Sequence, residues 1–322
     1  MLDRRKPGSS AFTTQRSEAD RIEILSGVFG GLTTGTPISL LVRNKDHHSS
    51  DYQNLAEQYR PGHADYCFDR KYGFRDWRGG GRSSGRETIG RVASGAIAEM
   101  LLSLFGVCFL TYVDRIGDIE ISADAFDEAE INRNPLCMPD RVAADAASDY
   151  LKRLMQEGDS SGSRVVCRVS GLPAGLGEPV FGKLDALLGQ AVFSIGAVKG
   201  LEIGDGFAVS SMRGSDNNDG FFMENGEVKK LTNHSGGVLG GISDGSELIL
   251  RAAFKPTPSI FREQKTVDRD GNNVTMNIAG RHDPVIGPRA AVVVESMTAL
   301  VLADLLLENA VCRVSNLQKI YD

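Results

Sequence analysis

The stretch Gly79–Glu87 reads Gly-Gly-Gly-Arg-Ser-Ser-Gly-Arg-Glu, and apolar residues at helical spacing follow it. Three consecutive glycines leave backbone amides unshielded and permit positive φ angles. Ser84 and Glu87 have the spacing of a capping box, which predicts that the helix begins at Ser84. A helix N-terminus beside a glycine loop attracts anions, because its free N–H groups carry the positive end of the helix dipole. The stretch therefore predicts a long helix with an anion-binding start, although an ordinary capped loop has the same pattern.

Composition limits the class of protein. The 322 residues allow one large domain or two ordinary ones. A hydrophobic content of 41% and a charged content of 24% are typical of soluble globular proteins. The net charge of −6 argues against a general nucleic-acid-binding surface. No uninterrupted apolar run reaches the ~18 residues of a membrane span, and charged residues follow Leu2 at once, unlike a signal peptide.

Cysteine usage indicates the redox compartment. The five cysteines are odd in number, scattered along the chain and without C-x-x-C spacing. This pattern predicts reduced thiols in a cytoplasmic protein and argues against a zinc site, so we expect no metal. The cysteines are Cys67, Cys108, Cys137, Cys167 and Cys312.

Periodicity predicts alternating strands and helices. Helices are expected over residues 139–157, 184–195 and 289–309, in addition to the one that begins at Ser84. Strands are expected over residues 22–28, 37–42, 107–113, 164–169, 197–203, 207–212 and 246–254, with a hairpin turn at Asp270-Gly271. The helix over 289–309 is apolar nearly all round, so we expect it to be buried between layers of structure.

Two loops carry ionisable side chains on a backbone that proline stiffens. In the first, Pro61-Gly62 precedes His63, which is either a proton donor or acceptor near neutral pH or a turn histidine held by a backbone hydrogen bond. In the second, Pro284 bars Asp283 from the α region and so fixes the direction of its carboxylate. The alternative for Asp283 is a turn residue with a local cap.

Two further stretches could contact a ligand. Asn233–Gly245 is rich in glycine, and its bare backbone could pass close to a flat molecule. Lys255–Ser259 combines a cation with two hydroxyls on an extended, proline-stiffened backbone.

Taken in order, five sequence blocks resemble the chorismate synthase family, and the resemblance runs from Leu2 to about Leu307. The blocks are Arg60–Asp65 (Arg-Pro-Gly-His-Ala-Asp), Gly79–Thr88, Asn233–Ser243, Lys255–Ser259 and Gly280–Pro284 (Gly-Arg-His-Asp-Pro).

The resemblance implies an α+β fold, a sandwich of two antiparallel sheets with long helices between them, over a single domain of residues 1–322. It also implies a homotetramer in the cytoplasm. The family is a group of lyases that convert 5-enolpyruvylshikimate 3-phosphate to chorismate and phosphate, the last step of the shikimate pathway of aromatic amino acid biosynthesis. The reaction is an anti-1,4 elimination that needs reduced FMN without net redox change, so the chain is expected to be a flavoprotein.

The resemblance also implies residue roles. His63 matches a histidine that protonates or steadies the reduced flavin, Ser84 a serine that relays to it, and Asp283 an aspartate that helps flavin N5 take the C6 proton. Arg5 matches an arginine that binds the phosphorylated substrate, or NADPH in bifunctional members. The residues that match flavin contacts are Arg82, Ser83, Ser84, Gly196, Ala197, Gly240, Lys255, Pro256, Thr257, Pro258, Ser259 and Arg281.

The sequence departs from the family pattern in three places. A first strand with a Gly-Glu-Ser-His-Gly motif is expected roughly forty residues ahead of Asp3, so the chain is predicted to be N-terminally incomplete relative to the family. Ala11 stands where an arginine is usual, and Gly196 where an asparagine is usual. The main hypothesis is therefore a chorismate synthase. The alternatives are a family member that binds FMN or anions without efficient turnover and an unrelated phosphate-binding structural protein.

Overall fold

The computed structural model describes residues 1–8, 12–13, 20–43, 56–77, 81–278 and 282–321. These residues form two compact units, each made of three chain segments. The first unit comprises Met1–Ala93, Asp114–Ser163 and Lys255–Arg289, and the second comprises Ser94–Val113, Arg164–Phe254 and Ala290–Asp322. The prediction of one domain over residues 1–322 stays a prediction.

Helices occur where the apolar periodicity predicts them, and several short ones occur elsewhere. The predicted long helices are α3, α4, α5 and α7. In chain order the helices are α1 (Leu2–Arg5), α2 (Asp65–Tyr72), α3 (Thr88–Ser103), α4 (Arg141–Gln156), α5 (Leu184–Phe193), α6 (Gly214–Asn217), α7 (Gly287–Ala310) and α8 (Val314–Tyr321).

The strands are mostly short. They are β1 (Ile22–Ser26), β2 (Val28–Phe29), β3 (Leu32–Thr33), β4 (Ser39–Val42), β5 (Cys108–Ile116), β6 (Ile119–Glu120), β7 (Ser163–Ser170), β8 (Val198–Ile203), β9 (Phe221–Glu224), β10 (Glu227–Lys230), β11 (Val238–Leu239), β12 (Ile242–Ser243), β13 (Leu248–Phe254), β14 (Glu263–Val267) and β15 (Asn273–Asn277).

One five-stranded sheet has the order β6-β5-β7-β13-β8, and the other strands form two-stranded pairs. Strand β13 pairs antiparallel with β8, with Leu250 opposite Ile203. Its residues alternate between buried and partly exposed positions, as one core-facing side of a strand requires. Asp270-Gly271 joins the antiparallel strands β14 and β15, as predicted. The mixture of helix and sheet confirms the α+β class.

The predicted start of α4 is two residues early for a local reason. The side chain of Asp140 accepts hydrogen bonds from the amides of Val142 (2.9 Å) and Ala143 (3.1 Å). Asp140 is therefore the N-cap, and the helix begins at Arg141 rather than at Pro139.

The strand predicted over residues 207–212 is wrong. Gly206–Ser211 forms a 3₁₀ helix instead. Gly204 and Gly206 have positive φ angles of 58° and 55°, and the Glu202 carboxylate accepts a hydrogen bond from the Phe207 amide at 3.2 Å. These contacts close a turn, and the apolar residues that suggested a strand lie exposed, with Phe207 at 78%.

Helix α7 is buried, as its composition predicts. Val292, Val294 and Leu302 have no exposed side-chain surface. Among the described residues, α7 is the one helix that is long enough and apolar enough to cross a membrane. Of the 18-residue stretch of α7 that meets this criterion, 67% is buried inside the structure. Such burial is typical of the core helix of a folded protein.

Candidate functional site

The glycine-rich stretch ends in two 3₁₀ turns, Gly81–Ser83 and Gly85–Glu87, that lead into α3. The Ser84 side chain caps the second turn by accepting a hydrogen bond from the Arg86 amide at 3.3 Å. Helix α3 itself begins at Thr88, four residues after the predicted start, because the 3₁₀ turn that Ser84 caps precedes it. The Glu87 carboxylate binds Arg91 at 3.0 Å. Gly79 and Gly80 lie outside the described residues.

A cleft of about 250 Å³ lies between α2 and the Gly81–Ser83 turn. Its lining combines aromatic rings with charged and polar side chains. Arg82 is exposed, and it makes no ion pair or hydrogen bond with any residue that the structure describes. The cleft therefore combines a positively charged side chain that is available to bind an anion, Arg82, with aromatic rings in its lining. Its lining residues are Ala64, Asp65, Phe68, Tyr72, Phe74, Arg75, Asp76, Gly81, Arg82 and Ser83.

Both ring nitrogens of His63 have partners. Nδ1 lies 3.1 Å from the Pro61 carbonyl oxygen, and Nε2 lies 3.0 Å from Ser259 Oγ. Because a carbonyl can only accept, Nδ1 donates to Pro61, and in the neutral ring Nε2 accepts from the Ser259 hydroxyl. The nearby Asp65 carboxylate binds Arg60 rather than the His63 ring. It accepts hydrogen bonds from Arg60 Nε and Nη2, each at 2.8 Å.

The surroundings of His63 favour the neutral ring. Burial and the positive charges of Arg60 and Lys255 lower the pKa of His63 to about 4, although the Pro61 hydrogen bond and Asp65 act in the opposite direction. At neutral pH the imidazole is therefore uncharged, and its Nε2 can accept a hydrogen bond.

This low pKa predicts acid-sensitive stability. His63 binds a proton near pH 6.5 in the unfolded chain and only near pH 4 in the folded one, so stability falls as the pH drops through that window. Between pH 7 and pH 4 we expect this residue to account for a loss of about 2–3 kcal/mol in the free energy of unfolding. Urea unfolding of the wild type and His63→Gln at several pH values measures it. Equal pH slopes in the two proteins would contradict the prediction.

The segment Lys255–Ser259 packs directly on the His63 turn. Gly62 has φ +70°, and a Cβ there would lie 2.7 Å from Pro258 Cβ. The Lys255 ammonium donates to the Gly62 carbonyl. On its other side, the segment accepts a hydrogen bond at the Thr257 carbonyl from Ser160 Oγ, at 2.7 Å. The structure therefore brings two of the predicted motifs into contact across nearly two hundred residues of sequence.

Asp283 is held by an arginine that the sequence did not single out. Arg289 Nη1 lies 2.5 Å from Asp283 Oδ2, and Arg289 Nε donates to the Arg5 carbonyl at 2.8 Å. The backbone beside it is also fixed, because the Pro284 carbonyl accepts from the Ser161 amide at 2.8 Å. Thus Ser160 and Ser161 bind the two motifs at consecutive positions.

Arg5 occupies a buried position in the first unit. Its guanidinium donates to Asp20 Oδ2 at 2.6 Å, to Thr88 Oγ1 at 3.0 Å and to the Gly85 carbonyl at 3.5 Å. The residue is only 3% exposed. An anion at Arg5 would compete with the Asp20 carboxylate, and the anion-binding role of Arg5 stays a prediction.

Three predicted cofactor contacts lie in the second unit, at opposite ends of α5. The Gly241 carbonyl, next to Gly240, accepts from the Leu184 amide at 2.7 Å, at the start of the helix. Gly196 and Ala197 follow its end, and Ala197 has φ +73°. Ten helical residues span roughly 15 Å. A single ligand that contacts both places must therefore extend along the helix.

Sequence reasoning missed Arg289, and it missed the contact between two predicted site residues, Ser259 and His63. The Ser259–His63 contact and the hydrogen bond from Arg289 to the Arg5 carbonyl join distant segments, which no local spacing reveals. The Arg60–Asp65 ion pair could have been found, because the two residues flank the Pro-Gly turn. Arg281 lies outside the described residues.

Comparisons with known proteins agree with this arrangement of motifs. A sequence model of the family described as chorismate synthase matches residues 1–307. A chorismate synthase of Lachnoclostridium phytofermentans is 59% identical over 322 residues, all of this chain and 88% of the relative. A chorismate synthase of Agathobacter rectalis is 58% identical over 321 residues, which cover 100% of this chain and 88% of the relative.

The solved structures include a similar fold. A structure titled "Crystal Structure of Chorismate Synthase" matches with a TM-score of 0.70 and 31% identity, covering 89% of this chain and 77% of that one. The family model, the relatives and the similar fold all indicate one family, and the chain belongs to the chorismate synthase family.

Proposed function

We propose that this protein converts 5-enolpyruvylshikimate 3-phosphate to chorismate and phosphate by an anti-1,4 elimination, in which phosphate leaves C3 and a hydrogen leaves C6. Family membership over the whole chain supports the reaction. The observation that carries the proposal is the 3.0 Å contact of His63 Nε2 with Ser259 Oγ, because it joins two motifs 196 residues apart in one neighbourhood.

The residues present fit a flavin phosphate such as FMN. Arg82 is a cation without an ion pair among the described residues, beside the aromatic wall of the cleft. Thr257 Oγ1 is buried without a hydrogen-bond partner, which is costly unless a ligand or water provides one. Reduced FMN, when bound, supplies electron density to the substrate ring as the phosphate leaves.

The chain's own groups would then position and exchange protons. The neutral His63 ring, kept in one tautomer by Pro61, accepts a hydrogen bond at Nε2 and orients the Ser259 hydroxyl. The Asp283 carboxylate, aimed by Arg289, is the candidate group for assisting the loss of the C6 proton. Arginine side chains would offset the charge of the departing phosphate.

We further propose a cytoplasmic homotetramer whose flavin is reduced from outside, with NADPH as a candidate reductant. Exposed apolar side chains support self-association, because large exposed patches commonly mark interfaces. Phe221 and Met223 of β9 and Val228 of β10 are 61%, 66% and 64% exposed.

An anaerobic assay tests the function. Protein mixed with chemically reduced FMN and 5-enolpyruvylshikimate 3-phosphate should form chorismate and equimolar phosphate. The proposed tetramer is tested separately by light scattering, in which the same protein should have four times the mass of one chain. FMN binding without product would favour the alternative, a family member that binds the cofactor without turnover. Product formation with NADPH and oxidised FMN would identify the protein as its own flavin reductase.

Arg82→Ala locates the cofactor. Losing one charged hydrogen bond should weaken FMN binding about ten- to hundredfold, as measured by flavin fluorescence. Arg133→Ala, which removes a 62% exposed arginine side chain, is the matched control and should bind FMN like the wild type. Equal affinities in the two variants would contradict the proposed cofactor position.

A further inference from the structure

The second unit contains a lysine ammonium that is surrounded by oxygen atoms. Lys230 Nζ lies 2.7 Å from Asp244 Oδ2, 2.7 Å from Ser235 Oγ, 3.0 Å from Asn233 Oδ1 and 3.2 Å from Asp219 Oδ2. The lysine side chain is only 3% exposed, and the two carboxylates are 3% and 7% exposed. Buried ammonium groups are rare unless they are paired in this way.

Three of the four oxygens belong to one hairpin. Strands β11 and β12 pair antiparallel, with Val238 opposite Ser243. Asn233 and Ser235 precede β11, and Asp244 follows β12. The ammonium therefore binds the hairpin at both of its ends.

The tip of this hairpin is the Gly240-Gly241 turn. Both glycines have positive φ angles, 62° and 87°, as a two-residue turn between antiparallel strands requires. A Cβ at Gly240 would meet nothing within 4 Å, whereas one at Gly241 would lie 2.3 Å from Lys183 Cγ. One glycine is thus packed against the start of α5, and the other presents bare backbone to open space.

Asp219 completes the cluster from the segment before β9. Its burial opposes ionisation, but hydrogen bonds from Thr232, from the Ser235 side chain and amide, and from the His234 amide hold its pKa well below the usual range. Asp219 is thus ionised beside the ammonium, and the Asp244 carboxylate binds the same ammonium at 2.7 Å. Removing the ammonium would leave two buried carboxylates close together without a counter-charge, which is strongly destabilising.

We infer that Lys230 is the positioning residue of this hairpin: its ammonium acts as a tethered cation that holds the two ends together and thereby sets the backbone at Gly240. The consequence for ligand binding rests on the proposed function and on the family resemblance, by which Gly240 matches a flavin contact. The consequence for the hairpin itself does not.

Lysine suits this place better than arginine. An ammonium is a compact charge with three donors that can be distributed among oxygens on different sides. A planar guanidinium directs its donors in one plane and needs more room. We therefore expect Lys230→Arg to fail as a replacement although it keeps the charge.

The first test compares Lys230→Met with Lys229→Met. The two lysines are neighbours on β10, and Lys229 also binds a carboxylate, Glu224 at 2.6 Å, but on the exposed surface. Lys230→Met should lower the melting temperature by roughly 5–15 °C, and Lys229→Met should leave it nearly unchanged.

Hydrogen exchange separates positioning from general destabilisation. In Lys230→Met, the amides of residues 237–244 should lose protection well below the melting temperature. In Leu102→Ala, which destabilises the core from a fully buried position, they should keep it. FMN affinity should fall about tenfold or more in the first variant only. Retained protection in Lys230→Met, or equal loss in both variants, would overturn the inference. Absence of FMN binding in the wild type would refute the proposed function and leave the exchange result valid.

Chemical rescue tests the cation directly. Lys230→Ala removes three methylene groups and the ammonium, which n-propylammonium replaces in size and charge. Added n-propylammonium should restore part of the lost melting temperature and protection in Lys230→Ala, whereas n-propanol should not. Equal effects of the two additives would show that filling the space, not the charge, matters, and would overturn the inference.

Discussion

Replacing Asp283 by asparagine is expected to lower kcat for chorismate formation by about 10²–10⁴-fold, while the protein stays folded and binds FMN. Asparagine keeps the size of the side chain but cannot take up a proton at neutral pH. A general acid–base group contributes typically about 10²–10⁴ in rate. The measurement is single-turnover chorismate formation with reduced FMN, beside FMN titration and thermal unfolding of the same variant.

The geometry at Asp283 explains why the substitution should act on the chemical step. The carboxylate is 11% exposed and is fixed by Arg289 at 2.5 Å, and the carbonyl of the following proline is bound by Ser161. The fixed backbone and the ion pair with Arg289 thus orient the carboxylate. Groups held in this way lose little entropy when they react.

A matched control separates the loss of the carboxylate from the loss of an ion pair. Glu247→Gln removes the carboxylate that binds Arg168 at 2.8 Å, in a pair that is also partly buried. Both variants should lose a similar small amount of stability, but only Asp283→Asn should lose kcat. An Asp283→Asn enzyme with wild-type kcat would remove Asp283 from the proposed mechanism.

The elements that could be predicted from the sequence are those that local chemistry determines. Helices α3, α4, α5 and α7 follow from apolar residues at helical spacing, and the role of Ser84 as a cap, although of a 3₁₀ turn before α3, follows from its side-chain chemistry. The buried α7 follows from its composition. The order of the motifs predicted the family, which the comparisons confirm.

The contacts that organise the candidate site could not be predicted in the same way. Ser259 meets His63, and Arg289 meets the Arg5 carbonyl, only because separate segments fold together. Arg5 is predicted to bind an anion because it matches a family arginine, and nothing in the sequence indicates that Asp20 binds its guanidinium. The apolar run at 207–212 suggested a strand, but two glycines with positive φ angles turn the chain there.

A single methyl group at Gly95 is expected to destabilise the protein. A Cβ at this position of α3 would lie 2.3 Å from Ser296 Cβ and 2.6 Å from its Cα on α7. Ser296 has no exposed surface, and a clash with Cα cannot be relieved by a side-chain rotation. We expect Gly95→Ala to lower the free energy of unfolding by about 1–3 kcal/mol or more, as overpacking of a core does, and denaturant titration measures this.

The same helix supplies the control, because a Cβ at Gly90 would meet nothing within 4 Å. Gly90→Ala should be neutral or stabilise by up to about 1 kcal/mol through helix propensity. If Gly95→Ala lowers the free energy of unfolding and Gly90→Ala does not, the loss of stability at Gly95 is assigned to its contact with α7. Ser296→Gly removes two of the three clashing atoms, Cβ and Oγ, so adding it to Gly95→Ala should recover part of the stability. Strict additivity in this double-mutant cycle would show that the two residues do not touch.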